Sequence, residues 1–130
     1  MAHNLLKAKH SLRIYARHPE KVEDLTPAGA VFLPSAGKVA QASEVIVLCL
    51  PTDLEVAEVI GGAQGILAGA TPGLLILDST TGTPAAAQRV AQTLKTQGVD
   101  YVDAPISGGV KGALARLRGF NSLDKLFNFF

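Results

Sequence analysis

Two short runs of aliphatic residues constrain the fold of this chain more than any other feature. Residues 45–50 read Val-Ile-Val-Leu-Cys-Leu and residues 74–77 read Leu-Leu-Ile-Leu, with no alternation of apolar and polar side chains. Strands with one face in water alternate, so these runs indicate strands covered on both faces, as in a parallel sheet packed by helices. Both runs are far shorter than the ~20 apolar residues that cross a bilayer, which argues against a membrane protein.

Further strand-like segments occur along the chain, and segments with helical patterns lie between them. The predicted strands are 11–16, 30–33, 44–50, 74–78 and 99–103. We expect helices over residues 1–8, from Pro19, from Asp53 and from Pro84. Strands that alternate with helices across short loops predict a doubly wound α/β sheet. With 130 residues, 48% of them hydrophobic, the chain has the length and apolar content of one domain.

The clearest helix signals lie around residue 84. Thr83 and Pro84 are typical of an N-cap and a first helical position. An apolar stripe at helical spacing follows, and Gly98 is expected at the position just after the helix. The stripe consists of Ala87, Val90, Ala91 and Leu94.

Open α/β sheets bind ligands at the carboxyl ends of their strands, so the residues that follow each strand are candidate site residues. Arg17 follows the first predicted strand, where it can meet a phosphate, stack on a base or remain an ordinary solvated arginine. Pro51 and Thr52 follow the third strand and form a common type of helix entrance. This junction alone is weak evidence for a site.

Two further junctions carry more chemistry. Four hydroxyl side chains lie between Asp78 and Pro84, where they can face a ligand or cap the next helix. After the last strand, Ser107, Gly108 and Gly109 form a turn whose N–H groups and hydroxyl suit a carboxylate or phosphate oxygen. A flexible glycine-rich hinge explains this turn equally well.

Taken together, these motifs resemble the β-hydroxyacid dehydrogenase family, which includes 3-hydroxyisobutyrate dehydrogenase, tartronate semialdehyde reductase and 6-phosphogluconate dehydrogenase. The most specific stretch is Asp-Ala-Pro-Ile-Ser-Gly-Gly at 103–109. The Leu-Pro pair at 50–51, Asp-Ser-Thr-Thr at 78–81 and the first five residues support it. The resemblance covers residues 1 to about 113 and implies a Rossmann domain that binds NADP or NAD.

The resemblance also assigns roles to residues. Leu50, Pro51 and Thr81 match cofactor contacts near the nicotinamide half, and Arg17 matches the arginine that favours NADP in many members. Ser107, Gly108 and Gly109 match the cradle for the carboxylate of a small substrate. One contact is not transferred, because Glu55 stands where mitochondrial members often have asparagine. No catalytic residue and no metal ligand are assigned.

The chain departs from the family pattern at both ends. The first strand and the G-L-G-x-M-G phosphate loop are expected just before Met1, and the catalytic lysine of the family lies in a G-x-x-x-K-x-x-N setting that this sequence lacks. We therefore expect a partial Rossmann domain over 1–113, an atypical tail over 114–130 and no helical catalytic domain. The strand order 3-2-1-4-5-6 makes the missing strand the central one of a mainly parallel sheet.

The leading hypothesis is a fragment of an NAD(P)-dependent oxidoreductase of small 3-hydroxy acids or semialdehyde acids, inactive by itself. The alternative is a non-catalytic interaction module that pairs with a full-length paralogue, or with its own copies, through exposed strand edges. Basic residues at both ends suggest a nucleic-acid binder only weakly, since they lack recognition features. A single cysteine, Cys49, precludes an intrachain disulfide and favours the cytoplasm.

Overall fold

The computed structural model describes residues 1–105, in which helices and parallel strands alternate. The α-helices are α1 (Ala2–Lys7), α2 (Ala36–Gln41), α3 (Asp53–Gly61) and α4 (Pro84–Lys95). The strands are β1 (Arg13–Ile14), β2 (Val31–Phe32), β3 (Val45–Leu48), β4 (Leu75–Asp78) and β5 (Asp100–Asp103). Short 3₁₀ turns occupy Pro19–Lys21, Glu23–Leu25 and Ile66–Ala68. Each of the five predicted strands is therefore present, although shorter than expected.

The strands form two parallel sheets, one of β1 and β2 and the other in the order β3-β4-β5. Within residues 1–105, no ladder joins β1 to β3. These are the two strands that the predicted order places on either side of a further strand. The predicted Rossmann-like, mainly parallel fold is confirmed.

The two aliphatic runs are buried to different extents, the one on β4 more completely than the one on β3. On β4, the consecutive residues Ile76 and Leu77 are both buried, which shows that both faces of this strand are covered. On β3, Ile46 and Leu48 are buried, and the alternate residues Val45 and Val47 are half-buried. The difference follows from position, because among residues 1–105 β4 has a strand on each side and β3 pairs with β4 alone.

Within residues 1–105, a hydrophobic core links the three-stranded sheet to α2, α3, α4 and the turn over Ile66–Ala68. Its buried members are Ala36, Ala40, Ile46, Leu48, Val56, Ile60, Ile66, Leu74, Ile76, Leu94 and Val99. Among residues 1–105, no helix is long and apolar enough to span a membrane.

The predicted signals around α4 are confirmed at both ends. The Thr83 hydroxyl accepts a hydrogen bond from the Ala86 N–H at 3.3 Å, and Pro84 is the first helical residue. After the last regular residue, Lys95, the Gly98 N–H donates to the Lys95 carbonyl at 3.1 Å and the Val99 N–H to the Leu94 carbonyl at 3.2 Å. These two bonds and the φ of +68° at Gly98 are those of a helix that ends in a left-handed glycine, as predicted.

Other helical segments differ from expectation. Two 3₁₀ turns replace the helix expected from Pro19. The sequence pattern missed α2, whose N-cap Ser35 accepts a hydrogen bond from the Lys38 N–H at 3.2 Å. Glycines let α2 approach the turn over Ile66–Ala68, and a Cβ on Gly69 would lie 1.9 Å from the carbonyl oxygen of Gly37. Because α2 packs closely through its backbone, it carries no stripe of large apolar side chains that would indicate a helix in the sequence.

Candidate functional site

The loops that follow β3, β4 and β5 lie side by side at one edge of the three-stranded sheet. Parallel pairing continues into these loops, since the Ser79 N–H donates to the Leu48 carbonyl at 2.8 Å. The Ala104 N–H donates to the Asp78 carbonyl, also at 2.8 Å. The sheet thus brings together the junctions in which the sequence predicted site residues.

Asp78 is the centre of a buried polar network. Only 4% of this residue is exposed, yet both carboxylate oxygens have partners. Oδ1 accepts a hydrogen bond from the Thr80 N–H at 2.9 Å, and Oδ2 accepts one from the Tyr101 hydroxyl at 2.7 Å. Burial of Tyr101 raises the pKa of its phenol well above 10.0, and the hydrogen bond to Asp78 raises it further. The network therefore ties β5 to the end of β4.

Thr80 extends this network to the loop after β3. It is buried, and its hydroxyl oxygen accepts a hydrogen bond from the Leu50 N–H at 3.1 Å. Because Thr80 already uses this donor, the backbone of Leu50 has no N–H to offer a ligand. The Leu50 side chain is half-buried against the core, whereas Pro51 is exposed.

A second polar cluster joins the beginnings of α3 and α4. One carboxylate oxygen of Asp53, Oδ2, accepts hydrogen bonds from the N–H of Thr83 at 3.1 Å and from its hydroxyl at 3.0 Å. Its other oxygen lies so close to Gly82 that a Cβ there would be 1.9 Å away. Glycine at position 82 leaves room for this oxygen without a shift of the Asp53 side chain, and Thr83 both caps α4 and anchors it to α3.

Arg17 lies beyond the end of β1 and pairs with α3. Its Nη2 atom is 2.6 Å from Oε2 of Glu58, and both side chains are more than half exposed. Glu55, one turn earlier on α3, accepts a hydrogen bond from the Thr52 hydroxyl. That bond lowers the pKa of Glu55, and the positive charge of Arg17 contributes a smaller lowering.

The structure therefore brings three of the four predicted cofactor residues to one edge of the three-stranded sheet. Pro51 and Thr81 are exposed there and Leu50 is half-buried, whereas Arg17 is exposed beyond the end of β1 and contacts α3. The predicted substrate residues Ser107, Gly108 and Gly109 lie outside the described residues. Sequence reasoning missed Glu58 and Tyr101 as partners of site residues. No spacing in the sequence indicates the first, because Glu58 and Arg17 are 41 positions apart.

Space beneath these loops is limited. The cavity enclosed by Asp53, Asp78, Thr80, Tyr101 and Asp103 measures about 10 Å³, enough for one water molecule. A dinucleotide is far larger, so any such ligand must lie over the exposed loop residues. Within residues 1–105, no group of three or more histidine, cysteine, aspartate or glutamate side chains is placed to hold a metal ion.

Comparison with known proteins identifies relatives of this arrangement. Residues 1–117 match the family described as the NAD binding domain of 6-phosphogluconate dehydrogenase. The mitochondrial 3-hydroxyisobutyrate dehydrogenase of Homo sapiens is 36% identical over 113 residues, which cover 87% of this chain and 34% of that relative. The chain thus spans about a third of the length of this curated relative.

Two solved structures share the fold. The 3-hydroxyisobutyrate dehydrogenase of Mycobacterium tuberculosis, solved with L-serine, has a TM-score of 0.80 and 32% identity, covering 88% of this chain and 38% of that one. Psf3, solved in complex with NADP+ and 2-OPP, has a TM-score of 0.81 and 31% identity, covering 88% and 40%. The predicted resemblance is confirmed: this chain belongs to the β-hydroxyacid dehydrogenase family and matches the NAD-binding domain of 6-phosphogluconate dehydrogenase.

Proposed function

We propose that this chain is the cofactor-binding part of an NAD(P)-dependent oxidoreductase that acts on small 3-hydroxy acids or the matching semialdehyde acids. One observation carries the proposal: the loops after β3 and β4, joined by the Leu50–Thr80 hydrogen bond, expose Pro51 and Thr81 at the ligand-binding edge of a parallel sheet. The names of the human and mycobacterial relatives support the substrate class.

The described residues fit such a cofactor at two places. The guanidinium of Arg17 offers several donors in a planar fork that matches a phosphate, and it is exposed. Thr81 offers a hydroxyl, while Pro51 and the Leu50 side chain offer apolar contact, because neither backbone has a free N–H. When bound, the nicotinamide supplies hydride transfer. The Asp78 network holds the loops that position it.

The substrate side of the proposal lies mostly beyond residue 105. Ser107, Gly108 and Gly109 remain our candidates for the carboxylate cradle, since they follow β5 closely. We propose that the 130-residue chain alone does not turn over substrate, because no lysine in a G-x-x-x-K-x-x-N setting is present to act as general acid. Cytoplasmic localisation belongs to the same proposal and follows from the single cysteine.

A binding experiment tests the cofactor proposal. Titration of the purified chain with NADP, followed by intrinsic tyrosine fluorescence or calorimetry, should reveal saturable binding that NAD displaces. Arg17→Ala should weaken NADP binding about tenfold, since a hydrogen bond to a charged group contributes roughly 1.5 kcal/mol at an exposed site. Arg89→Ala, which removes an exposed arginine from α4, is the matched control. Equal affinities for the two variants would contradict the assignment of Arg17.

A second candidate, an interaction module, has one observation in its favour. The edges of β1 and β3 that face the predicted missing strand have no ladder partner among residues 1–105. Unpaired edges of this kind bind an added strand from another chain. Co-purification with a full-length member of the family would support this function. A monodisperse monomer at high concentration, with no capture of that partner, would count against it.

A further inference from the structure

The guanidinium of Arg17, which follows β1, already forms an ion pair with a carboxylate. Arg17 Nη2 lies 2.6 Å from Glu58 Oε2, which is the short distance of a charge-assisted hydrogen bond. The two residues are 41 positions apart, so the pair joins the loop after β1 to the middle of α3. The carboxylate therefore engages Nη2, one of the three nitrogens through which the guanidinium could bind a phosphate.

The surroundings of Arg17 strengthen this effect. Asp53 and Glu55 lie in the first turn of α3, and that helix has no basic residue in its last turn. Arg17 is close enough to Glu55 to contribute to the lowered pKa of that carboxyl. A phosphate with two negative charges that approaches Arg17 is thus repelled by the carboxylate of Glu58 and by that of Glu55.

We propose that Glu58 is the residue that sets the preference of this domain between a 2′-phosphorylated and an unphosphorylated adenosine ribose. This inference rests on the proposed cofactor function. A 2′-phosphate that approaches Arg17 competes with the Glu58 carboxylate for Nη2 and is repelled by its negative charge. A ribose with a free 2′-hydroxyl leaves the ion pair intact. Glu58 therefore acts through Arg17 and lowers the advantage that the arginine gives to NADP.

A structural role does not account for the pair equally well. The Arg17 and Glu58 side chains are 53% and 66% exposed, and exposed ion pairs contribute little to folding stability. Exposure also leaves the pair open to exchange with a ligand. Because both side chains are exposed, the ion pair adds little to folding stability, while the Glu58 carboxylate can still compete with a phosphate for Arg17.

The test compares two nucleotides that differ only in the 2′-phosphate, adenosine 2′,5′-bisphosphate and adenosine 5′-monophosphate. Each is titrated into the full chain by NMR, with the Arg Nε–Hε signals as the readout. Glu58→Gln should bind the bisphosphate about two- to fivefold more tightly than the wild type, the gain expected from removing one exposed charge pair. Affinity for the monophosphate should change less than about twofold.

Two further variants make the result specific. Glu23→Gln removes the same charge from an exposed residue outside α3 and should leave both affinities nearly unchanged. In the Arg17→Ala background, Glu58→Gln should lose its selective effect, because no guanidinium remains to be released. An equal gain in Glu23→Gln and Glu58→Gln, or a gain that persists without Arg17, would overturn the proposal.

The outcomes also separate this inference from the proposed function. If Arg17→Ala weakens binding of the bisphosphate but Glu58→Gln leaves it unchanged, cofactor binding stands and the role of Glu58 is refuted. If neither nucleotide binds any variant at millimolar concentration, the proposed cofactor function of this chain fails, and the role of Glu58 fails with it.

Discussion

The hydrogen bond between Tyr101 and Asp78 offers the sharpest test of how the site edge is held together. Replacing Tyr101 with phenylalanine keeps the ring and removes only the hydroxyl that donates to Asp78 Oδ2 at 2.7 Å. Asp78 then retains the Thr80 N–H on its other oxygen but loses a partner while still buried. The substitution therefore isolates one contact of a buried carboxylate.

The expected cost follows from the chemistry of that contact. A hydrogen bond to a charged group contributes roughly 1.5–3 kcal/mol, and we expect the lower part of this range because Tyr101 is half-buried. A loss of about 1.5–2 kcal/mol in a domain of this size corresponds to a fall in Tm of roughly 5–8 °C. The midpoint of urea unfolding should fall with an unchanged slope.

The raised pKa of Tyr101 adds a dependence on pH with a definite sign. Burial and Asp78 hold the phenol proton more tightly in the folded state than in the unfolded state, where the pKa is near 10.0. The stabilising contribution of Tyr101 is therefore complete below about pH 10 and declines as the pH rises further, because the unfolded chain releases its proton first. Tyr101→Phe should lack this component of alkaline destabilisation.

Urea unfolding at neutral pH and at pH 10–11, followed by circular dichroism, measures both effects. Tyr15→Phe is the matched control, since Tyr15 is 41% exposed and the same hydroxyl is removed. The reasoning is refuted if Tyr101→Phe and Tyr15→Phe have the same unfolding midpoint. It is also refuted if the difference between wild type and Tyr101→Phe is the same at both pH values.

Two further predictions follow from local geometry. Gly69→Ala should destabilise the fold by about 1–3 kcal/mol, because its Cβ would meet the Gly37 carbonyl. Gly61 has open space around it, so Gly61→Ala should be neutral or stabilise the fold by up to ~1 kcal/mol. Thermal unfolding of both variants measures the difference. Thr52→Ala should raise the pKa of Glu55 towards its ordinary value of 4.5, measured by NMR titration, and an unchanged pKa would exclude Thr52 as the main cause of the lowering.

Much of the fold was predictable because its signals are local. Unbroken aliphatic runs located β3 and β4, and the Thr83-Pro84 pair located the beginning of α4. The missed helix α2 has no comparable signal, since it packs through glycine and alanine rather than through a stripe of large apolar residues. Its existence depends on the close approach of a turn about thirty residues away.

The candidate site was predictable only in part. Strand ends pointed to Arg17, Pro51 and Thr81, because parallel strands bring their carboxyl ends to one edge. The partners of these residues were not predictable in the same way. Contacts such as Leu50–Thr80 and Arg17–Glu58 join positions 30 and 41 residues apart, and sequence spacing says nothing about which side chains meet across such distances.

The amino-acid sequence by itself determined the class of fold, the order of its strands and the family, because these depend on hydrophobic period and on motifs that are contiguous in the chain. Only the tertiary structure decided that Asp78 is buried with both oxygens satisfied, that Thr80 uses the Leu50 N–H, and that Glu58 holds Arg17. The physical reason is that hydrogen bonds and ion pairs form only between groups that lie in contact. Their partners are chosen by packing of the sheet and helices, which no local pattern contains.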